Sequence, residues 1–193
     1  NSLFFVLSAV LWVKQGKPIY IPKFKTTATK IFKALKKDKF LMIMAFGFLF
    51  FLINTTFIDI FMPVMNIDSL AYHLNRVAFW LSQCNLHHFV IADDRNLFMP
   101  INSEILYMWV MVFLKKDIGL FFFSFIGVIS CLICVYNILN YLGFCERKKL
   151  WTVFILASLP PMIIEASSVE TNIFLASLIL SSITSTVCSF IFD

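Results

Sequence analysis

Long apolar runs separated by short polar segments dominate the pattern of this chain. Residues 40–62, 118–142, 150–164 and 173–192 are predominantly apolar. About 20 consecutive apolar residues cross a bilayer as a helix. The pattern therefore predicts an all-α fold of polytopic transmembrane helices, in which Pro160-Pro161 break the third of these runs near its end.

The first 39 residues differ in character from the rest. An apolar run at 3–13 is too short to cross a bilayer, and we interpret it as the tail of a spanning helix. Nine lysines follow between Lys14 and Lys39. Within that segment, residues 26–37 place Ile31, Phe32 and Leu35 among lysines, which predicts an amphipathic helix on the membrane surface.

The lysine-rich segment also sets the predicted topology. Lysines between membrane spans are typical of a cytoplasmic loop and do not indicate a nucleic-acid partner. We divide the chain into residues 1–39, the end of a transmembrane helix with a basic cytoplasmic loop, and residues 40–193, the N-terminal part of a larger transmembrane domain. Because the chain starts and stops beside apolar runs, we expect it to be a truncated piece of a longer protein.

If the lysine-rich segment is cytoplasmic, residues 64–102 lie on the outer face. Asp68-Ser69 favour a helix start there. Apolar residues then recur at helical spacing, which predicts a helix along the membrane interface; they are Leu70, Leu74, Val77 and Leu81. Residues 104–114 are apolar but short, which predicts a second interfacial or re-entrant helix with Tyr107 as an aromatic anchor.

Composition supports a bilayer environment. The chain is 60% hydrophobic and 14% charged, with a mean hydropathy of +0.87. A soluble domain carries about 25% charged residues, so an ordinary soluble fold is excluded. Cys131 and Cys134 form a C-x-x-C spacing inside an apolar run, where helix packing is a better interpretation than a metal or redox site.

Candidate chemistry concentrates after residue 67. On a helix, Asp68, Tyr72 and Arg76 are four residues apart and would share one side. A carboxylate suits acid–base work, and a guanidinium matches phosphate oxygens. The alternative is that Asp68 only caps the helix and Arg76 meets lipid headgroups. His87-His88 and Asp93-Asp94 fit no standard metal-ligand spacing and are interpreted as a polar loop.

Three segments in order resemble a known family. Residues 68–80 (DSLAYHLNRVAFW) resemble the D-S-x-x-Y-H-x-x-R-x-x-x-W run of bacterial glycosyltransferases of the C superfamily, which include protein O-mannosyltransferase-like and aminoarabinose-transferase-like enzymes. Arg95-Asn96 and residues 99–104 (MPINSE) resemble the following R-x-x-x-x-P-x-x-x-E region. Residues 159–172 (LPPMIIEASSVETN) resemble the family's second outer loop. The resemblance covers roughly residues 40–192.

The resemblance implies an integral membrane enzyme that takes a sugar from a polyprenyl-phosphate donor and transfers it, with inversion, to an acceptor glycan, lipid or protein at the outer face. Asp68 matches the catalytic carboxylate. The residues implied to bind substrate are Tyr72, His73, Arg76, Arg95, Glu104, Glu170 and Asn172. Among these, Arg76, Arg95 and His73 would neutralise the donor phosphate, and either Glu170 or Asn172 would fill the polar role of the second loop.

The resemblance makes a divalent cation a candidate cofactor, but Asp68 and Glu170 alone do not specify a metal site. We expect a multi-pass protein of the plasma (inner) membrane with its site facing the periplasm or exterior, and a fragment that is inactive alone. A lipid or glycan transporter would place ionisable residues at mid-membrane. A non-catalytic assembly subunit would make the outer carboxylates dispensable.

Overall fold

The computed structural model describes residues 24–62, 64, 66–87, 89, 95–99 and 101–192. These residues form helices and no strand, which confirms the predicted all-α class. The helical elements in chain order are α1 (Phe24–Lys37), α2 (Lys39–Phe61), a π-helical turn (Ser69–His73), α3 (Leu74–Gln83), α4 (Arg95–Phe98), α5 (Asn102–Leu114), α6 (Phe122–Tyr141), α7 (Glu146–Ala157), α8 (Pro160–Ala166) and α9 (Asn172–Phe192).

Two helices in the described part of the chain are long and apolar enough to cross a membrane. They are the stretch Lys39–Ile58 of α2 and the whole of α6, each 20 residues long. At 1.5 Å rise per residue, 20 residues span about 30 Å, the thickness of the hydrocarbon core. Phe46, Phe50 and Phe57 of α2 are each more than 60% exposed, as expected of side chains that face lipid.

A third span is available if α7 and α8 together form one broken helix. Their axes differ by 67° across a short break. Leu159 is extended, and Pro160-Pro161 occupy the first positions of α8, because proline fits a helix start but cannot continue a helix. The predicted break is confirmed. The polar segment between the apolar runs 118–142 and 150–164 is helical in part, since Glu146–Lys149 form the first turn of α7.

The last predicted span is a helix of 21 residues, Asn172–Phe192. Its part with described side chains, Asn172–Cys188, is apolar but shorter than the two spanning helices. Within the described residues, two or three helices are therefore long and apolar enough to cross a membrane. The predicted helix tail at 3–13 lies outside the described residues.

The main core lies where α6 packs against α9, with α7 and α8 beside them. Val128, Cys131 and Leu132 of α6 contact Ala157 and Ile173 within one buried cluster. Cys134 is also buried, and its Sγ lies 3.5 Å from Ser181 Oγ on α9. The prediction that the two cysteines pack between helices is confirmed.

Gly127 sets the distance between α6 and α9. A Cβ at this position would lie 3.2 Å from Ile173 O and 3.3 Å from Phe174 Cα. Both contacts are with backbone, which cannot move aside as a flexible side chain can. Small residues at such crossings let the backbones of neighbouring helices approach closely in a membrane.

Replacing Gly127 with Leu is expected to destabilise the helix pair by about 1–3 kcal/mol, the usual cost of overpacking a filled interface. Gly47→Leu is the matched control, because nothing lies within 4 Å of a Cβ at Gly47 on the exposed face of α2. Thermal denaturation of both variants in the same detergent measures the difference. Equal midpoints for the two variants would show that the α6–α9 contact is not close.

The lysine-rich α1 docks at one end of the spanning helices. Ile31, Ala34 and Leu35 pack on a buried cluster that contains Leu41 of α2 and Leu150 of α7. The predicted amphipathic helix is confirmed and begins at Phe24, and its place on the membrane surface stays a prediction. Its lysines therefore lie at the same end of the helices as the basic first turn of α7.

Candidate functional site

The site begins with Asn66, which starts the helix after α2. Its Oδ1 accepts hydrogen bonds from the backbone N–H groups of Asp68 at 2.8 Å and Ser69 at 3.3 Å. An amide oxygen in this position satisfies N–H groups that the helix leaves unpaired. The helix start is at the expected place, but the alternative that Asp68 only caps the helix is wrong, because the Asp68 side chain makes no cap hydrogen bond.

The Asp68 carboxylate instead pairs with Arg95. Arg95 Nη1 donates to Asp68 Oδ1 at 2.8 Å, and the two side chains are 40% and 49% exposed. The guanidinium of Arg95 also lies over the Tyr72 ring, 4.8 Å from its centroid. An acid, a cation and a phenol thus share a surface open to solvent, which we call the exposed trio (Asp68, Tyr72 and Arg95).

The environment of Tyr72 keeps its hydroxyl protonated. Partial burial raises the pKa of Tyr72 above its usual value, and the negative charges of Asp68 and Glu170 raise it further. The Arg95 guanidinium opposes this shift in part. Near neutral pH the phenol is therefore a hydrogen-bond donor.

The π-helical turn separates Arg76 from the exposed trio. Within it, the Leu74 N–H bonds to Ser69 O, five residues back. The wider turn rotates the following residues relative to Asp68. The predicted common face of Asp68, Tyr72 and Arg76 is therefore wrong: Arg76 is buried together with His73, whereas the Asp68 side chain is half-exposed.

Arg76 fastens the loop that carries Arg95. Its guanidinium donates to Arg95 O at 2.9 Å, to Met99 O at 3.0 Å and to Glu104 Oε1 at 3.2 Å. Arg76 is 1% exposed and Glu104 is fully buried. A buried arginine requires such neutralisation, because an unpaired charge in the interior is very costly. Arg76 therefore acts as a buried anchor in this geometry.

Glu104 is the shared acceptor of a buried network. His73 Nδ1 lies 2.9 Å from Glu104 Oε1, and Ser103 Oγ donates to Glu104 Oε2 at 3.0 Å. His73 is 2% exposed, and its Nε2 has no hydrogen-bond partner within the described residues. The network joins the π-helical turn to the start of α5.

The second polar loop, between α8 and α9, meets the first through Asn66. Asn66 Nδ2 donates to Glu170 Oε1 at 2.6 Å, and Asn172 Nδ2 donates to Glu170 Oε2 at 2.9 Å. The Val169 N–H also bonds to Ser69 Oγ at 3.2 Å. Glu170 and Asn172, expected as alternatives for one role, thus belong to one hydrogen-bonded cluster at the same end as Asp68.

Two side chains from α5 and α6 hold the backbone of this loop. Tyr107 Oη and Ser124 Oγ donate to Glu170 O at 3.3 Å and 3.1 Å. Tyr107 is only 1% exposed. Its expected role as an interfacial anchor is therefore wrong, since it is a core residue that positions Glu170.

Several residues of the site were not found from the sequence. They are Asn66, Ser69, Ser103, Ser124 and Glu165, and the last accepts a hydrogen bond from Asn172 at 3.3 Å. Asn66 has a sequence signal, because Asn is common immediately before a helix. Ser69 and Ser124 are identified only by partners distant in the chain, Val169 and the backbone of Glu170. Ser103 and Glu165 bond to near neighbours and carry no comparable signal.

The described residues contain no group of three or more His, Cys, Asp or Glu side chains placed to bind one ion. Of the pairs noted at 87–88 and 93–94, only His87 belongs to the described part of the chain. The carboxylates of Asp68 and Glu170 are instead engaged by Arg95 and by amide groups.

A cleft of about 250 Å³ opens beside Asn66. Ile58, Phe121 and Ile164 form part of its apolar wall, and Ser167 and Ser168 contribute polar edges. The remaining lining residues are Met62, Val64, Asp117, Ile118 and Val169. An apolar chain could therefore lie next to the polar cluster.

Comparison of the chain with protein-family models, with curated proteins and with solved structures finds no match. The chemistry of the site is therefore argued from its geometry. A half-exposed carboxylate beside a guanidinium and a protonated phenol can accept a proton from a hydroxyl group and hold an anion close to that hydroxyl.

Proposed function

We propose that this chain is part of an integral membrane glycosyltransferase that moves a sugar from a polyprenyl-phosphate donor to an acceptor hydroxyl. The observation that carries the proposal is the half-exposed Asp68–Arg95 pair at the end of apolar, membrane-length helices. A carboxylate with no role as a helix cap, next to a cation, fits the needs of transfer from a phosphate leaving group. The motif order from residue 68 to residue 172 supports the same function.

In the proposed reaction Asp68 is the general base. Its carboxylate accepts the proton of the acceptor hydroxyl while that oxygen bonds to the anomeric carbon of the sugar. The bond from that carbon to the phosphate oxygen breaks, and polyprenyl phosphate leaves with the bonding electrons. Attack opposite the leaving group inverts the anomeric centre.

Arg95 is proposed to bind the donor phosphate. Its planar guanidinium offers several donors that match phosphate oxygens and stabilises the charge that develops on the leaving group. The donor phosphate draws Arg95 away from Asp68 and frees the carboxylate to act as a base. Tyr72, protonated at neutral pH, donates a further hydrogen bond to the donor.

The remaining residues position this machinery. His73, Arg76 and Glu104 are buried, and they hold the backbone of Arg95 and the π-helical turn in register. Glu170 and Asn172 present polar groups that bind sugar or acceptor hydroxyls. A divalent cation would bind together with the donor phosphate, because the described residues offer no group of three His, Cys, Asp or Glu side chains to hold it.

The proposed location is the plasma membrane, with the exposed trio on the outer face. The lysines of α1 and the basic first turn of α7 then lie on the cytoplasmic side, as the positive-inside rule favours. The helices α3 and α5 lie at the outer interface, and the cleft beside Asn66 receives the first isoprene units of the donor. This arrangement puts the donor phosphate at the membrane surface.

The test of this function is transfer from labelled polyprenyl-phosphate sugars by membranes that contain the full-length parent protein. With Arg95→Gln we expect kcat/KM for the donor to fall by about 10–100-fold, because a charged hydrogen bond contributes roughly 1.5–3 kcal/mol. Lys116→Gln is the matched control. It removes an exposed positive charge that forms no ion pair with the described residues.

Arg95→Lys should recover part of the activity, since a lysine retains the charge but not the fork of donors. Labelling of Cys84 and Cys145, both exposed, with a membrane-impermeant maleimide checks insertion. Cys84 should react from outside and Cys145 only after permeabilisation. Equal kcat/KM for Arg95→Gln and Lys116→Gln would remove Arg95 from donor binding.

A lipid or glycan transporter is the second candidate. The bend of 67° between α7 and α8 favours it, since broken helices are typical of transporter binding sites. Translocation of the labelled donor in vesicles, without sugar transfer to any acceptor, would support this function.

A further inference from the structure

A second cleft lies at the opposite end of the spanning helices from the exposed trio. It has a volume of about 550 Å³ and is bounded by the end of α1, the start of α2 and the start of α7. Three cations line it, Lys37, Lys39 and Arg147, together with Asp38 and Glu146. Nothing in the proposed transfer reaction uses this surface.

Both acidic side chains of this basic cleft are already neutralised. Asp38 pairs with Arg147 at 2.7 Å and accepts the backbone N–H of Phe40 at 3.0 Å. Glu146 pairs with Lys149 at 2.7 Å and accepts the hydroxyl of Tyr136 at 2.8 Å.

Lys37 and Lys39 are exposed and form no ion pair with any described residue. The cleft therefore carries two positive charges without a counter-ion from this part of the protein. An unbalanced pair of lysines attracts an anionic ligand.

Aromatic side chains mark the level of this cleft relative to the membrane. Phe40, 50% exposed, stacks on Trp151 with ring centroids 4.7 Å apart. Phe32 on α1 is 58% exposed, and Lys36 Nζ lies 4.8 Å from its ring centroid. Aromatic rings beside lysines are typical of the interface, where an apolar face meets lipid headgroups.

We propose that the basic cleft binds the phosphodiester headgroup of an anionic phospholipid. Lys37 and Lys39 contact the phosphate, and the acyl chains lie along the exposed apolar surface of α2, which includes Met42, Ile43 and Phe46. A phospholipid satisfies both the charge and the apolar surface, whereas a free phosphate would satisfy only the charge.

The test uses the full-length protein in phosphatidylcholine nanodiscs doped with photoactivatable phosphatidylglycerol or photoactivatable phosphatidylcholine. We expect phosphatidylglycerol to label the α1–α2 region preferentially. The double substitution Lys37→Gln and Lys39→Gln should reduce that preference by up to ~30-fold at low salt, at about fivefold per lysine. The double substitution Lys37→Arg and Lys39→Arg should retain it.

Lys115→Gln with Lys116→Gln is the matched control, because it removes two exposed lysines at the other end of the helices. An unchanged preference after loss of Lys37 and Lys39, or an equal reduction in the control, would overturn the proposal. Loss of labelling when inorganic phosphate is present during photoactivation, but not when chloride is present at the same ionic strength, would assign the cleft to a small anion. That result would overturn the proposal as well.

Discussion

Replacing Asp68 with Asn is expected to lower the rate of sugar transfer by about 10²–10⁴-fold, the usual contribution of a positioned general base. The amide keeps the shape of the side chain but cannot accept the acceptor's proton. Since Asp68 is 49% exposed and its pair with Arg95 is open to solvent, loss of this pair should change stability by less than about 1 kcal/mol.

The measurement is initial velocity in membranes with the full-length protein, at donor concentrations above KM, across several sugars. Lys116→Gln again serves as the control, together with maleimide labelling of Cys84 to confirm insertion. Unchanged transfer by a correctly inserted Asp68→Asn variant would exclude this carboxylate from the mechanism. No transfer by the parent itself would favour the transporter.

Replacing Glu104 with Gln is expected to act mainly on stability, unlike Asp68→Asn, and to destabilise the protein by about 3–5 kcal/mol. Glu104 is fully buried and accepts from Arg76, which is 1% exposed. Removing its charge leaves the buried guanidinium uncompensated, which is the costly way to break a buried pair. His73 and Ser103 lose their acceptor charge at the same time.

Thermal denaturation of the purified full-length protein in detergent measures this effect, with Asp68→Asn as the matched control. Both substitutions remove an acid that pairs with an arginine, but only one of the two pairs is buried. Glu104→Gln combined with Arg76→Gln should cost less than the sum of the single changes, because the second substitution removes the stranded charge. Equal midpoints for Glu104→Gln and Asp68→Asn would show that burial of the network does not matter.

Much of the architecture was predictable from the sequence because it depends on local properties. The length of the apolar runs predicted α2 and α6, the lysines among apolar residues predicted α1, and Pro160-Pro161 predicted the bend. Each of these signals involves neighbouring residues only. The common end of Asp68 and Glu170 was also predictable, because two predicted spans, 118–142 and 150–164, lie between the two polar segments and return the chain to the same side.

The detail of the site was not predictable in the same way. Spacing of four residues assigns Asp68, Tyr72 and Arg76 to one face only if the helix is a regular α-helix, and the π-helical turn changes that register. Arg76 is buried because Glu104, 28 residues later in the chain, lies opposite to accept its charge. Tyr107 is likewise buried because the backbone of Glu170 accepts its hydroxyl. A single sequence carries no signal of such distant partners.

The two hydrogen-bonding ends of Asn66 have a consequence for biosynthesis. Its oxygen completes the helix start beside Asp68, and its nitrogen holds Glu170, a residue 104 positions later. Because a chain is made from its N-terminus and folds progressively, the first polar loop is translated long before the second. The Nδ2 group of Asn66 therefore has no Glu170 to bind until the later loop is made. The site is complete only after the chain has been synthesised beyond α8 and through Glu170.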